Sequence, residues 1–191
     1  HFNTVSLKSN HNHPAFGITP EQITQNSDAF LTTILPDSSR LLLLVQISAL
    51  IVIGLVAGAT FGIWRGYNPS GFAPPTFLEV HKGAVAGLNT LLPALGLAAN
   101  VLTLLLAARF YGSTGFGLFV LALVLMIAAG VITRFGNQPI NAQVMGWTVY
   151  SMPTNWTQLR DTWWFWHLIR TAVSVAAFAA LAAAVLSNLT A

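Results

Sequence analysis

A few residues in this chain have side chains able to move a proton or hold negative charge. Trp156, Arg160, Trp163, His167 and Arg170 recur at intervals of four, three, four and three, which places them on one face of a single helix. Asn137 and Asn141 are four apart on a preceding short segment, and His81 stands earlier in the chain. An imidazole can act as an acid or base at neutral pH. A guanidinium and amide N–H groups can stabilise an oxyanion. Tryptophan rings supply flat apolar walls. Together they form a Trp-lined mouth with His, Asn and Arg, which suits a flat lipophilic ligand. Arg170 lies one to two turns inside its helix, and a buried charge there needs a partner, for which Glu79 or Asp161 is available.

Each of these residues also has a plainer use. Trp and Tyr anchor helices at membrane interfaces, and Arg134 and Arg160 can snorkel to head groups. Asn137 can cap a helix, and His81 can be a hydrogen-bonded structural residue. His81, His167 and Glu79 could in principle hold iron or zinc, but no paired metal-binding motif is present, so no metal site is assigned. Haem or chlorophyll could take His81 or His167 as axial ligand, and His1 could chelate copper only as a processed terminus. Without cysteine, thiolate sites and disulfides are excluded.

The elements that position these residues follow from the distribution of charge. Of 191 residues, 54% are hydrophobic and 7% charged, against about 25% charged in soluble domains. Residues 41–64, 83–108, 110–133 and 171–191 contain no Asp, Glu, Lys or Arg. Each is at least about the 20 residues needed to cross the hydrocarbon core, and backbone in lipid must satisfy its own hydrogen bonds, so each should be helical. The expected fold is all-α: an integral membrane four-helix bundle with helices at about 39–65, 79–109, 114–134 and 160–189. A polar N-terminal tail, 1–38, precedes the 39–191 domain, and a short interfacial helix beginning near Pro139 lies between helices 3 and 4.

Gly54, Gly58, Gly62 and Gly66 form a period-four stripe expected to let another helix approach closely. Pro93 is expected to kink the second helix, whose face of His81, Val85, Asn89, Gly96 and Asn100 should point into the bundle. With four spans, both termini share one side. The loops 66–80 and 136–162 share the other, which gathers the His, Trp, Asn and Arg candidates at one end. The distribution of Lys and Arg leans toward those loops being cytoplasmic.

In the tail, segments such as His11–Pro14 and Leu35–Ser39 read as turns, and Thr19-Pro-Glu-Gln22 as a helix start. No apolar signal-peptide region is expected in residues 1–30. The formal charge of +3 is too small and scattered for a nucleic-acid surface. The expected partners are membrane lipid, a lipophilic small molecule and, through residues 1–38, a larger membrane complex. A bacterial inner membrane, or an intracytoplasmic, thylakoid-type one, is the expected compartment.

The motif Asn137-x-Pro-Ile-Asn141, then Trp147, then Trp156-x3-Arg160-x2-Trp163-x2-Trp-His-x2-Arg170-Thr171 resembles the signature of the anthrone oxygenase-like integral membrane proteins. The resemblance covers roughly 40–191 and leaves the tail outside. It implies oxidation of anthrones to anthraquinones with molecular oxygen, with no cofactor required. Its matching positions are Asn137, Asn141, Trp147, Arg160, Trp163, His167 and Arg170. The corresponding mechanism has Trp walls holding a phenolic substrate, His167 or His81 removing a proton, and Arg170 with the Asn amides stabilising the oxyanion. Two other classes compete with it. One is a non-catalytic accessory subunit that binds lipid, quinone or pigment at the Trp/His/Arg end. The other is a transporter, for which no inverted repeat or charged midplane pathway is present.

Overall fold

The computed structural model describes residues Ser38 to Leu189. The readings placed on residues 1–37, including the turns, the helix start at Thr19 and the docking arm, lie outside the described residues. The chain divides into units 1–41 and 42–191, and the site belongs to the second. The described residues are predominantly helical, without strands: α1 Ser38–Gly66, a 3-10 turn Pro69–Gly71, α2 Pro74–Leu88, α3 Leu91–Arg109, α4 Phe116–Ile132, a π turn Thr133–Asn137, α5 Gln138–Met145 and α6 Trp156–Leu189.

Four helical stretches are long and apolar enough to cross a bilayer: Ser38–Gly71, Pro74–Arg109, Phe116–Met145 and Trp156–Asn188. This is an integral membrane protein, with four such spans among the described residues. Pro74 and Pro75 open α2 at positions where a missing N–H costs nothing, so the second span starts earlier than residue 79. The expected interruption occurs at Asn89–Thr90, between α2 and α3. Pro93 has no N–H to offer the Asn89 carbonyl four residues back, while the bonds on either side, Asn89 N–H to the Val85 carbonyl at 3.0 Å and Ala94 N–H to the Thr90 carbonyl at 3.2 Å, are kept.

The expected interfacial helix takes a different form. It is α5, and it continues from α4 through the π turn without leaving the helix. Asn137 makes no capping bond. Its amide donates instead to the carbonyl of Trp163, at 3.0 Å.

α4 packs extensively against α6. Ala177, Ala180 and Ala184 of α6 are buried with Phe119, Ala122 and Met126 of α4, and with Ala49, Ile53 and Val56 of α1. Lipid is as apolar as a helix surface, so such packing depends on close van der Waals approach, which small side chains permit. The glycine stripe of α1 contributes less than expected. A Cβ at Gly54 would touch Phe178 at 3.4 Å, whereas one at Gly58, Gly62 or Gly66 would meet nothing within 4 Å. The tightest glycine against an aromatic ring is Gly136 in the π turn, where a Cβ would lie 2.6 Å from Trp166 Cγ. A second apolar cluster fills the bundle end that carries the candidates: Tyr67, Phe77, Leu78, Ile140, Val144, Trp147 and Trp163.

Candidate functional site

Trp163 is the centre of the polar arrangement. Its ring stacks on His167 with centroids 5.2 Å apart and planes within 5°, and it meets His81 edge-on at 4.7 Å. Its Nε1–H donates to Asn141 Oδ1 at 2.7 Å. An indole N–H can only donate, which fixes the orientation of the Asn141 amide. Asn141 Nδ2 then donates to Asn89 Oδ1 at 3.1 Å. The second contact on Asn141 Oδ1, His81 Nε2 at 3.2 Å, is therefore a donor as well. His81 is the neutral tautomer protonated on Nε2, and its Nδ1 lone pair accepts from the Tyr67 hydroxyl at 3.2 Å. His81 is 1% exposed and Tyr67 is buried beside it.

The same logic settles His167, which is fully buried. Arg170 Nε and Nη2 lie 3.1 and 3.0 Å from its Nδ1. A guanidinium has only donors, so Nδ1 is a lone pair. The proton is on Nε2, which donates to the Thr60 carbonyl at 3.1 Å. Thr171 Oγ1 donates to the His167 carbonyl at 2.8 Å and closes the group from below. All four imidazole nitrogens are thus engaged by protein atoms. Among the described residues no group of three or more His, Asp and Glu could hold a metal.

Arg170 is 8% exposed and has no carboxylate partner among the described residues. Neither expected counter-ion reaches it. Asp161 pairs with Arg160 at 2.9 Å, and Glu79 is exposed. The adjacent position made Asp161 the easier partner for Arg160, whereas Arg170 lies ten residues further along the helix. That ion pair is the one present among the described residues, so none of them supplies a counter-charge to the buried Arg170.

Arg170 lines two neighbouring cavities. The smaller, about 40 Å³, is also lined by His81, Asn89, Thr133, Asn141 and Trp163. The larger, about 270 Å³, has Thr60, Asn100, Ser174, Arg134 and Gln138 among otherwise apolar walls. Leu92, Pro93, Thr133 and Arg170 belong to both. The rim residues Pro93, Leu97 and Gly130 are exposed at the depth of the apolar spans, so the larger cavity opens toward the lipid. This corrects one detail of the second-helix face. His81 is buried in the bundle, but Asn89 is exposed and Gly96 lines the larger cavity instead of packing against a helix.

The structure brings His81, Asn141, Trp163, His167 and Arg170 together, with Asn137 holding the Trp163 backbone. Of the predicted site residues, His81, Asn141, Trp163 and Arg170 line one or both cavities, whereas Asn137, Trp147, Trp156, Arg160 and His167 line neither; His167 reaches the cavity wall through its contact with Arg170. Trp147 is buried in the aromatic end, where its carbonyl accepts from Lys82. Trp156 packs on Phe77 at 5.6 Å, and Arg160 lies over the Trp156 ring at 5.2 Å. Sequence reasoning missed Tyr67, Thr60 and Thr133. Tyr67 gave one signal, a phenol at the end of an apolar helix. Thr60 contributes a backbone carbonyl, which no residue type announces.

A family model described as "Anthrone oxygenase" matches residues 83–180, more than half of the chain. The match includes every residue of the site except His81, Tyr67 and Thr60. No curated protein and no solved structure matches the chain.

Proposed function

The chain belongs to the anthrone oxygenase family, and from that premise we propose that it oxidises a flat, lipophilic phenolic polycycle with molecular oxygen inside the bundle. One observation carries this reading: Arg170, a buried cation with no carboxylate partner among the described residues, faces a mostly apolar cavity open to lipid. A cation in such a place is retained for a ligand that brings negative charge. The cavity of about 270 Å³ lies near the lower end of small-molecule sites, about 300–1,000 Å³. Its lipid-facing opening suits a substrate that partitions into the bilayer.

In the proposed reaction the substrate carbonyl receives Arg170. To bond it, the guanidinium turns away from His167 Nδ1, and that lone pair becomes the base. His167 takes a proton from the methylene carbon opposite the carbonyl, and the resulting enolate oxygen is held by Arg170. The electron-rich carbon forms a bond to oxygen, and the His167 proton is returned to give a hydroperoxide. Loss of water then leaves the second carbonyl. One anthrone and one O₂ give one anthraquinone and one H₂O. His81 is the poorer candidate base because its Nδ1 is directed to Tyr67; it positions Asn141 through Nε2–H.

The test is anthrone oxidation by the purified protein in lipid nanodiscs, with empty nanodiscs as the autoxidation blank. Quinone should form with one O₂ consumed per turnover, and His167→Ala should reduce the rate to the blank while the protein still inserts and folds. Quinone formation no faster than in empty nanodiscs would overturn the proposal, and unchanged turnover by the variant would remove His167 from it.

A further inference from the structure

The larger cavity holds a second guanidinium that the proposed reaction does not use. Arg134 lies on its wall with Gln138, on the exposed side, while Arg170 is buried. The only carboxylates between residues 38 and 189 are Glu79 and Asp161, and neither lines the cavity. Arg134 has no ion pair among the described residues, and its guanidinium rests over the Phe135 ring at 5.9 Å. A cleft with low-dielectric walls and charge of one sign concentrates ligands of the other sign. One oxyanion at Arg170 balances one of the two cations, which leaves Arg134 for a second anionic group.

The π turn sets this second position. It spans Thr133–Asn137 and inserts about one residue relative to α-helical register. Asn137 faces the backbone of Trp163, while Arg134 and Gln138 remain together on the cavity wall. A guanidinium fork beside an amide N–H₂ matches the two oxygens of a planar carboxylate.

We infer that this site takes a polycyclic substrate bearing a carboxylate remote from the carbonyl that Arg170 holds, and that Arg134 reads that carboxylate. The inference rests on the oxygenase reading for the word substrate, but not for the binding preference.

The experiment compares anthrone with an anthrone carboxylic acid, using protein in phosphatidylcholine nanodiscs. Binding is followed by quenching of tryptophan fluorescence and turnover by quinone formation. The carboxylated compound should bind about ten-fold or more tightly, as expected for a charge-assisted hydrogen bond, with the gain in KM and not in kcat. Arg134→Gln should bring the carboxylated compound down to the affinity of plain anthrone, and Arg134→Lys should keep part of the difference. Equal binding of the two compounds, or a preference that survives Arg134→Gln, would overturn the inference. So would wild-type protein that binds phosphatidylglycerol yet treats both anthrones alike, since Arg134 would then be a headgroup contact. Binding preference without turnover of either compound would sink the oxygenase reading and leave this one standing.

Discussion

The unpaired charge of Arg170 sets what individual residues here can do. A structural arginine in a membrane interior pairs with another ionisable group or with backbone carbonyls; among the described residues this one is held by the lone pair of a neutral imidazole, a weaker partner than an acid. Arg170→Gln keeps a donor for His167 Nδ1 and removes the charge. Ligand affinity should fall about ten- to a hundred-fold, the worth of a hydrogen bond from a charged group. Thermal stability should hold or rise, because an uncompensated buried charge disappears. A clear drop in Tm with affinity intact would make Arg170 a structural residue. The spacing of Trp163, His167 and Arg170 made their shared face legible in the sequence, because helical geometry converts intervals of three and four into neighbours. Their partners were not legible. The Thr60 carbonyl, the Tyr67 hydroxyl and the absence of an acid at Arg170 depend on how four helices meet, and side-chain type does not encode that.

Among the elements, the four spans could be read from charge-free runs alone, since the bilayer forces helix on any apolar segment of sufficient length. The break before Pro93 was legible for the same kind of reason, a missing donor. The π turn was not. Thr133–Asn137 contains no proline and no unusual run, and its one-residue insertion is visible only where α4 has to fit against α6. Gly136 records that fit. Gly136→Ala would drive a methyl into the Trp166 ring, 2.6 Å from Cγ. Overpacking of this kind costs about 1–3 kcal/mol, so Tm should fall. The shift of α4 should also disturb the Asn137 bond to Trp163 and slow turnover. The same change at Gly62, where a Cβ meets nothing within 4 Å, should leave both unchanged. If the two variants behaved alike, the π turn would not be the device that fits α4 to α6.

At the scale of the whole molecule, the bundle is filled by aromatic side chains at one end and leaves a lipid-facing cavity beside the break between α2 and α3. Tight alanine packing of α4 on α6 and loose packing near the helix break leave a space of about 270 Å³. Arg170 lies at its inner wall, and lipid at its mouth. A gap in a membrane bundle could be a mere defect, and a filled gap is the way to decide. Gly96 lines this cavity, and a Cβ there would meet nothing within 4 Å, so Gly96→Leu starts from an uncrowded Cβ on the cavity wall. If the gap is a defect, filling it adds contacts and costs nothing else, so Tm rises and ligand behaviour is unchanged. If the gap is the substrate's berth, Tm should still hold or rise, but anthrone should no longer quench tryptophan fluorescence, and quinone formation should drop to the blank. Stability and activity would then move in opposite directions under one substitution. That opposition is expected only of a cavity kept open for a guest, and a Gly96→Leu protein that oxidised anthrone at the wild-type rate would place the reaction elsewhere in the bundle.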